Sequence, residues 1–536
     1  MSAAAVGATR VLILDGSVEP DPVVVGGKAA GIARMVSAGF PVPPAFALST
    51  SVCREFLAEG DRVLDGLWTD VRSGMGYLER RTGRSFGSAD APLLVSVRSG
   101  APTSMPGMMD TVLNLGLNQE IADGLARLGG AAYARDTHQR FEQLFSEVVG
   151  IEDIPADPWS QLRLAIAAVF RSWRSPRAVA YRRRHGLDDE AGTAVTVQAM
   201  VFGNADDRSG TGVLFTRNPS TGDPEPLGEW LARAQGEDIV SGTRAPQPLD
   251  ALAALLPEVH AQLIGHAHRL EQRNRDVQDI EFTVESGRLW LLQTRSAKRS
   301  PRGAVAIAAA LGREGLISPA EAVSRVTADQ VRAVLVPGLD PDERAAAPLL
   351  ARGTPACPGV GAGVVVTDPD EAEARAAEGE EVVLARRTTS PHDLHGMLAA
   401  AAIVTEIGGA TSHAAVVSRE LGVPCVVGCG EDTVTGLDDR TVTVCGDTGE
   451  VLQGEITLRA PSEHDDEDLR LLTQWAREIS PLPAWRSDEI PTGARVVHEV
   501  DYSSDTAVEN ALRDNVQAVV TEHPLPVLLA AIRARR

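Results

Sequence analysis

EIGGATSHAAVVSRELGVPCVVG, residues 406–428, sets one histidine, His413, between a glycine pair and an alanine-rich helical pattern. The preceding AAIVTE reads as a strand, Gly408-Gly409 as a turn, and Thr411-Ser412 as N-cap residues of a helix that Gly422 ends. His413 then falls in the first helical turn, beside unpaired N–H groups and the positive end of the helix dipole. That setting favours an anionic phosphoryl group on the ring, which Thr411 and Ser412 could assist as hydrogen-bond donors. It also disfavours imidazolium and leaves a neutral, nucleophilic nitrogen. A lone histidine near a helix start is ordinarily a surface or capping residue, so the rest of the chain must decide.

The strand–turn–helix unit repeats around it. From 351 to about 456 the strands GVVVT, EVVLA, AAIVTE, CVVG and TVTVC alternate with helical stretches, which implies a compact α/β domain. Upstream, residues 297–350 are alanine-rich and punctuated by Pro301, Pro319, Pro337 and Pro341, and read as a helical linker. Downstream, a charged stretch over 457–491 reads as a second linker. It leads to a βαβα pattern over 492–536: VVHEVD, DTAVENALRD, AVVTEH and LPVLLAAIRARR.

Residues 1–296 carry the other polar constellations. In DIEFTVESGRLWLLQTR, Asp279 and Glu281 stand two apart on a strand, so both leave one face while Ile280, Phe282 and Val284 cover the other. Two carboxylates on one face repel unless a cation lies between them, which makes Mg²⁺ a natural third party. A three-residue loop, Glu285-Ser286-Gly287, would set Gln293 opposite Asp279 and on its face. A two-residue Ser-Gly loop would turn it away. The longer loop is the expectation here; an exposed hairpin with polar residues outside is the plain alternative.

VVVGGKAAGIARM reads as strand, glycine turn and helix, with Lys28 at the helix mouth, where backbone N–H groups and an ammonium suit phosphate. It is not a Walker A loop. In LLVSVRSGAPTSMPGMMDTVLNLGLN, the buried strand LLVSV delivers Arg98 at its end, and the Gly, Pro and Met-rich stretch after it reads as a loop. Residues 119–186 read as largely helical. Within them YRRRH, 181–185, reads as a solvated helix face.

The totals narrow the function classes. At 536 residues the length suggests several domains, and 43% hydrophobic residues suffice for real cores. A net charge of −22, from 73 acidic and 51 basic residues, argues against nucleic acid as the main partner. No apolar run reaches the ~18 residues of a spanning helix, and no leader pattern opens the chain, so no membrane and a cytoplasmic location are expected. Five cysteines form no disulfide framework, and Cys425, Cys429 and Cys445 lack the matched pair of a zinc site.

Seven segments, in order over residues 24 to about 455, resemble pyruvate phosphate dikinase and, more distantly, phosphoenolpyruvate synthase. They are GGKAAGIARM, VSVRSGAPTSMPGMMDTVLNLGLN, VQAMVFGN, SGTGVLFTRNPSTG, AQGEDIVSGTRAPQP, DIEFTVESGRLWLLQTR and GGATSHAAVVSRELG. The resemblance implies an α/β multidomain protein: an N-terminal ATP-grasp region and a swivelling phosphohistidine domain. It implies Lys28 and Arg98 as phosphate-binding and catalytic residues, and Asp279, Glu281 and Gln293 as the set that holds metal and nucleotide. Gln198, Met200 and Val201 would meet adenine through backbone groups, and His413 would be the phosphorylated residue. ATP, phosphate and Mg²⁺ are the small partners so implied, and a homodimer is one oligomeric state it allows.

Two departures qualify what it implies. The family's third domain is a (β/α)8 barrel needing about 250 residues, whereas only residues 492–536 follow the second linker, similar to the barrel's first units, with Thr521-Glu522-His523 present and Val520 where the family has Arg. Ile407 likewise stands where dikinases have Arg. The expected function is therefore a dikinase-like phosphotransferase, truncated before the barrel, that phosphorylates His413 from ATP. It would pass the group to pyruvate on a separate barrel protein or to another acceptor. The alternative is a phosphohistidine carrier or regulatory protein that docks on a partner.

Overall fold

The computed structural model describes residues 10–535 apart from 104, 106, 107, 241–243, 245, 336, 337, 460–462, 465, 488, 491–504, 514, 515 and 517. Two five-stranded antiparallel sheets organise the N-terminal half. The first comprises β1 (Val11–Ile13), β2 (Ala45–Leu48), β3 (Val95–Gly100), β4 (Thr111–Leu115) and β5 (Ala194–Ala199), in the order β1-β2-β5-β3-β4. Its central strands β3 and β5 are buried nearly throughout, because helices Arg62–Thr82, Ala131–Val149 and Pro158–Ser172 bring Leu64, Phe141 and Phe170 onto them.

The second sheet comprises β6 (Gly210–Phe215), β7 (Leu227–Ala232), β8 (Gln247–Pro248), β9 (Gln278–Glu285) and β10 (Arg288–Ser296), in the order β10-β9-β6-β7-β8. Period-two alternation gives it one apolar face, Leu214, Trp230, Ile280, Phe282 and Leu291. That face packs against helix Pro22–Ser37 through Ile32 and Met35, and against helix Pro257–Asn274 through Leu263 and Leu270. The opposite face carries Asp279, Glu281 and Glu229.

The chain next forms a ribbon strand, β11 (Gly338–Leu339), and an eight-stranded sheet. Its strands are β12 (Leu349–Arg352), β13 (Thr354–Cys357), β14 (Val360–Val366), β15 (Val382–Arg386), β16 (Ala402–Thr405), β17 (Cys425–Val427), β18 (Thr441–Cys445) and β19 (Glu450–Gln453). The order is β12-β19-β18-β14-β15-β16-β17-β13, parallel from β14 to β17 and antiparallel elsewhere. Strands β12 and β13 are separated by Gly353 alone yet lie at opposite ends of that order. Seven strand spacings of about 4.8 Å cannot be bridged by one residue, so the sheet curls round until its edges meet. One apolar cluster, with Val383, Val404 and Val444, and a second, with Leu384, Ile403 and Ala415, pack its two faces.

Entry and exit from this domain share one connection. β11 runs antiparallel to β20 (Leu458–Arg459), Gly338 opposite Arg459 and Leu339 opposite Leu458. Glu343 clasps the pair by accepting from Thr457 N at 2.6 Å and Thr457 Oγ1 at 2.7 Å.

Several expectations change. The segments read as linkers, 297–350 and 457–491, pack on each other. Helices Pro301–Arg313, Pro319–Ser324, Ala328–Val334 and Glu467–Ile479 share one core with Pro524–Ala534, through Val305, Ile307, Val331, Leu472 and Leu528. Each fully buried Val, Ile or Leu stabilises such a core by roughly 1.5–3 kcal/mol, so these helices form one packed unit, and the β11–β20 ribbon connects it to the eight-stranded sheet. Alanine-rich composition conceals this, since Ala308, Ala309, Ala322, Ala328 and Ala476 are themselves part of the core. In the last segment β21 (Ala484–Trp485) pairs in parallel with β22 (Val519–Val520), while VVHEVD lies outside the described residues.

Three local readings also change. Pro22–Val25 is a helical turn rather than a strand, because Pro22 follows an Asp21 cap that accepts from Val23 N. TVLNL, expected within the loop, forms β4, and Arg98 lies within β3 rather than at its end. Arg182 of YRRRH is buried, paired to Asp189 at 2.7 Å and stacked over Trp173. Among the described residues no helix is long and apolar enough to cross a membrane.

Candidate active site

The hairpin β9–β10 builds the acidic part of the site, by a route the sequence did not reveal. Arg288 pairs with Glu285, so the loop is two residues, Ser286-Gly287, with φ of 51° and 80°. Positive φ at both positions is the turn whose twist matches the flanking strands. The expected three-residue loop is therefore corrected. A two-residue loop alone would have turned Gln293 away from the acids, but the register shifts between Leu291 and Gln293. This bulge restores Gln293 to the acidic face, opposite Glu281 rather than Asp279. Arg295 lies opposite Asp279 instead.

The resulting face holds Asp279, Glu281, Gln293 and Arg295 together. Arg295 Nε donates to Asp279 Oδ2 at 2.7 Å. Asp279 is buried, and its Oδ1 has no partner among the described residues. Burial pushes its carboxyl above the usual range, and Arg295 opposes that push.

The cations arrive from the first sheet and its neighbouring helix. Gly26 has φ 78° and breaks helix Pro22–Ser37; a Cβ there would lie 2.0 Å from Gly100 O at the end of β3. Only glycine permits that approach, and Gly27 N seals it by donating to Ala101 O at 3.0 Å. Lys28 and Arg98 thereby come together. Arg98 Nη2 stands 3.8 Å from Glu281 Oε2. Burial and the charge of Arg98 pull the Lys28 ammonium down to about 8, while Glu281 holds it up. Three cations, Lys28, Arg98 and Arg295, thus crowd against two carboxylates. Such a surplus of positive charge suits a polyphosphate brought in with a divalent cation.

Asp279 and Glu281 offer hard oxygens on one face, and the unpartnered Oδ1 of Asp279 is an acceptor awaiting a cation, so the donor set fits Mg²⁺. Among the described residues no third metal-ligating side chain joins them. A Mg²⁺ there would complete its shell from phosphate oxygens and water.

The adenine-side expectation is placed less simply. Gln198 sits in the middle of the first sheet, its backbone paired with Ala45 and Ser96 and its side chain donating to Pro43 O at 3.1 Å. Met200 N donates to Leu94 O at 2.9 Å. Val201, past the strand end, has no hydrogen-bond partner among the described residues, and so keeps backbone groups for a ligand.

His413 opens helix His413–Leu421, with Ser412 as N-cap accepting from Ala415 N and Gly422 in the left-handed C-cap position at φ 73°. The ring is half-buried. Its Nδ1 lies 3.2 Å from Thr389 Oγ1, which leaves Nε2 without a partner among the described residues. Burial holds the ring below its ordinary pKa, with Asp393 opposing, so it is neutral near pH 7.

This helix is docked onto the acidic face of the second sheet. Arg419, buried, lies 5.7 Å over the Phe215 ring and donates to Ala356 O and Ala410 O at 3.2 and 3.0 Å. Its charge is felt by both Asp279 and Glu229. Lys298 pairs with Glu420 at 2.5 Å, and Ser220 Oγ donates to Ala356 O at 2.8 Å. The residues that sequence reading missed are Arg295 and Glu229. The same alternation that selected Asp279 and Glu281 picks out Arg295, two residues beyond Gln293; for Glu229 no local signal exists.

Residues 66–253 match the family model "Pyruvate phosphate dikinase, AMP/ATP-binding domain", and residues 378–449 match "PEP-utilising enzyme, mobile domain". Arg98 and Gln198 fall in the first span and His413 in the second; Lys28, Asp279, Glu281 and Gln293 lie outside both. A pyruvate, phosphate dikinase of Rhizobium meliloti (strain 1021) is 41% identical over 88% of this chain and 60% of its own length. The chloroplastic enzymes of Mesembryanthemum crystallinum and Arabidopsis thaliana are each 40% identical over 88% of this chain, and over 56% and 55% of their own lengths. The chain spans less than two thirds of the length of these curated relatives. It carries, in order, matches to a dikinase nucleotide-binding domain and to a mobile domain of enzymes that use phosphoenolpyruvate, and is similar to pyruvate, phosphate dikinases over most of its length.

Proposed function

We propose that this chain is an ATP-dependent phosphotransferase of the pyruvate phosphate dikinase type, in which His413 receives a phosphoryl group from nucleotide and passes it on. The two antiparallel sheets are read as the lobes of an ATP-grasp module, and residues 351–456 as the domain that swivels. The observation that carries the reading is the docking of a neutral His413, its Nε2 free, onto the sheet face that gathers Asp279, Glu281, Gln293 and Arg295 beside Lys28 and Arg98.

In the first step Nε2 attacks phosphorus in line, and the P–O bond to the departing nucleotide breaks. Thr389 accepts from Nδ1–H, fixing the tautomer that exposes Nε2. Lys28, Arg98 and Arg295 bind the polyphosphate and meet the charge that develops on the leaving oxygen. Asp279 and Glu281 would hold Mg²⁺, whose contribution when bound is to neutralise phosphate charge. In the second step the domain swings on the β11–β20 ribbon and the group passes to pyruvate on a separate protein or to another acceptor.

Intact mass of the protein after incubation with ATP, Mg²⁺ and phosphate tests the first step. One acid-labile phosphoryl adduct is expected on the wild type and none on His413→Ala; an unmodified wild type overturns the reading. Labelled phosphate carried from His413 to added pyruvate supports the dikinase assignment of the second step, whereas label that leaves only on addition of a protein partner points to a carrier.

A further inference from the structure

Glu229 stands in β7 on the acidic face of the second sheet, in a row of paired residues that runs Glu229, Val213, Glu281, Gln293 across four strands. It is buried, and its carboxylate takes its hydrogen bonds from across the domain boundary. Thr411 Oγ1 donates to Oε2, and the backbone amides of Ala410 and Thr411 lie near enough to oppose the upward push of burial on its pKa. These groups belong to the loop that immediately precedes His413, with Thr411 182 residues from Glu229 in sequence.

Gly409 completes the contact. A Cβ built on Gly409 would lie 1.7 Å from Glu229 Oε1, 2.5 Å from its Cδ and 2.9 Å from Oε2. These are its nearest neighbours, so the space denied to a side chain at 409 is denied by the other domain. Gly409 is also absent from the residues with positive φ, unlike Gly408 at φ 129°. Its own backbone would accept alanine. The carboxylate could move aside only by giving up its hydrogen bond from Thr411 in a buried setting.

We propose that Glu229 is the docking acceptor for the phosphohistidine loop. It is a positioning residue whose carboxylate seats residues 409–411, and with them His413, on the nucleotide-side sheet, and Gly409 is the space left for it. This rests on the reading of His413 given above. It adds to the Lys298–Glu420 and Ser220–Ala356 contacts a buried carboxylate with no donor of its own domain in the contact. When the domain swings away, Glu229 exchanges these donors for water and the Ala410 and Thr411 amides are uncovered.

The test pairs two substitutions with two readouts. Single-turnover phosphorylation of His413 from ATP is measured for wild type, Gly409→Ala, Glu229→Ala and the double variant, alongside nucleotide affinity. Gly409→Ala is expected to slow transfer roughly tenfold or more, with nucleotide affinity within about twofold of wild type. In the Glu229→Ala background the same alanine should cost nothing further, because the obstructing atoms are gone. Equal slowing in both backgrounds, or no slowing in either, overturns the proposal. Backbone hydrogen exchange at Ala410 and Thr411 supplies an answer that needs no chemistry: exchange should quicken in Glu229→Ala, and unchanged protection overturns the proposal. A wild type that takes no phosphoryl group would defeat the functional reading, while the exchange experiment would still decide the role of Glu229.

Discussion

Arg295 and Asp279 face each other across β10 and β9, Nε to Oδ2 at 2.7 Å, with the second carboxylate oxygen of Asp279 buried and unpartnered. The pair is asymmetric: the Arg295 side chain is 40% exposed and that of Asp279 only 7%. Arg295 can therefore rotate toward a ligand, while Asp279 cannot escape burial. In the absence of a metal the guanidinium supplies the positive charge that the carboxylate needs.

Removing one partner should accordingly hurt more than removing both. Arg295→Met removes the ion-pair partner of the buried Asp279, leaving only the more distant charge of Arg419, and is expected to lower stability by about 1–3 kcal/mol, discounted from a fully buried pair because Arg295 is partly solvated. Adding Asp279→Asn should recover most of that loss. Chemical denaturation of the three variants checks this, and a double variant no more stable than Arg295→Met would count against the pair as described.

Lys28 gives a pH signature. Its folded pKa is about 8 against 10.5 for an ordinary lysine, lowered first by burial and then by Arg98. Below pH 8 both folded and unfolded chains hold the proton, and the folded state bears the cost of the crowded charge. Between about 8 and 10.5 the folded chain has released a proton that the unfolded chain retains, so this residue makes stability rise with pH across that window. A bound polyphosphate reverses the local field and should raise the pKa again. Nucleotide binding near pH 8 is therefore expected to take up a fraction of a proton, seen as buffer-dependent binding heat, and the uptake should vanish in Lys28→Met.

The same residues show how far the sequence could be read. The turn and helix around His413, the shared face of Asp279 and Glu281, and the glycine kink before Lys28 are encoded within a few residues each, and local chemistry suffices to place them. Gln293 reaches the acidic face by a route other than the three-residue loop that the sequence suggests. Its register depends on a two-residue loop and a bulge at Leu292 whose effects cancel, and no local propensity announces a bulge. The docking of Glu229 on residues 409–411 and the packing of 301–334 on 467–479 are long-range contacts. They arise from surfaces that become complementary only after each element has formed.

Thr389 should matter through the ring tautomer alone. Its Oγ1 lies 3.2 Å from His413 Nδ1, and in the proposed mechanism it accepts the Nδ1 proton and so presents Nε2 as the lone-pair nitrogen. Thr389→Val is expected to slow phosphorylation roughly tenfold while nucleotide affinity stays put, and Thr389→Ser should restore the rate. Ring nitrogen shifts in ¹⁵N NMR report the tautomer directly. Because burial keeps the ring below its ordinary pKa of 6.5, the rate should be flat around pH 7 and decline only below that value. A rate that titrates upward between pH 7 and 8 would contradict a neutral nucleophile.

The ribbon that joins the eight-stranded domain to the helical unit makes a mechanical prediction if that domain swings as proposed. Two independent linkers would let the domain tumble; a paired β11–β20, clasped by Glu343 on Thr457, restricts it to bending about one axis. Glu450 stiffens the base by pairing with Arg344 and Arg352 at 2.7 and 2.6 Å. Glu343→Ala with Thr457→Val removes the clasp but leaves the nucleotide face and the His413 helix untouched. The double variant is expected to be nicked by protease near residues 338–343 and 455–459 several-fold faster than the wild type. Its nucleotide affinity should be unchanged, because Lys28, Arg98, Asp279 and Glu281 lie in sheets that the ribbon does not support. If cleavage remains as slow as in the wild type, the ribbon is held by something other than the clasp. If nucleotide affinity falls with it, the hinge and the nucleotide face are not mechanically separate.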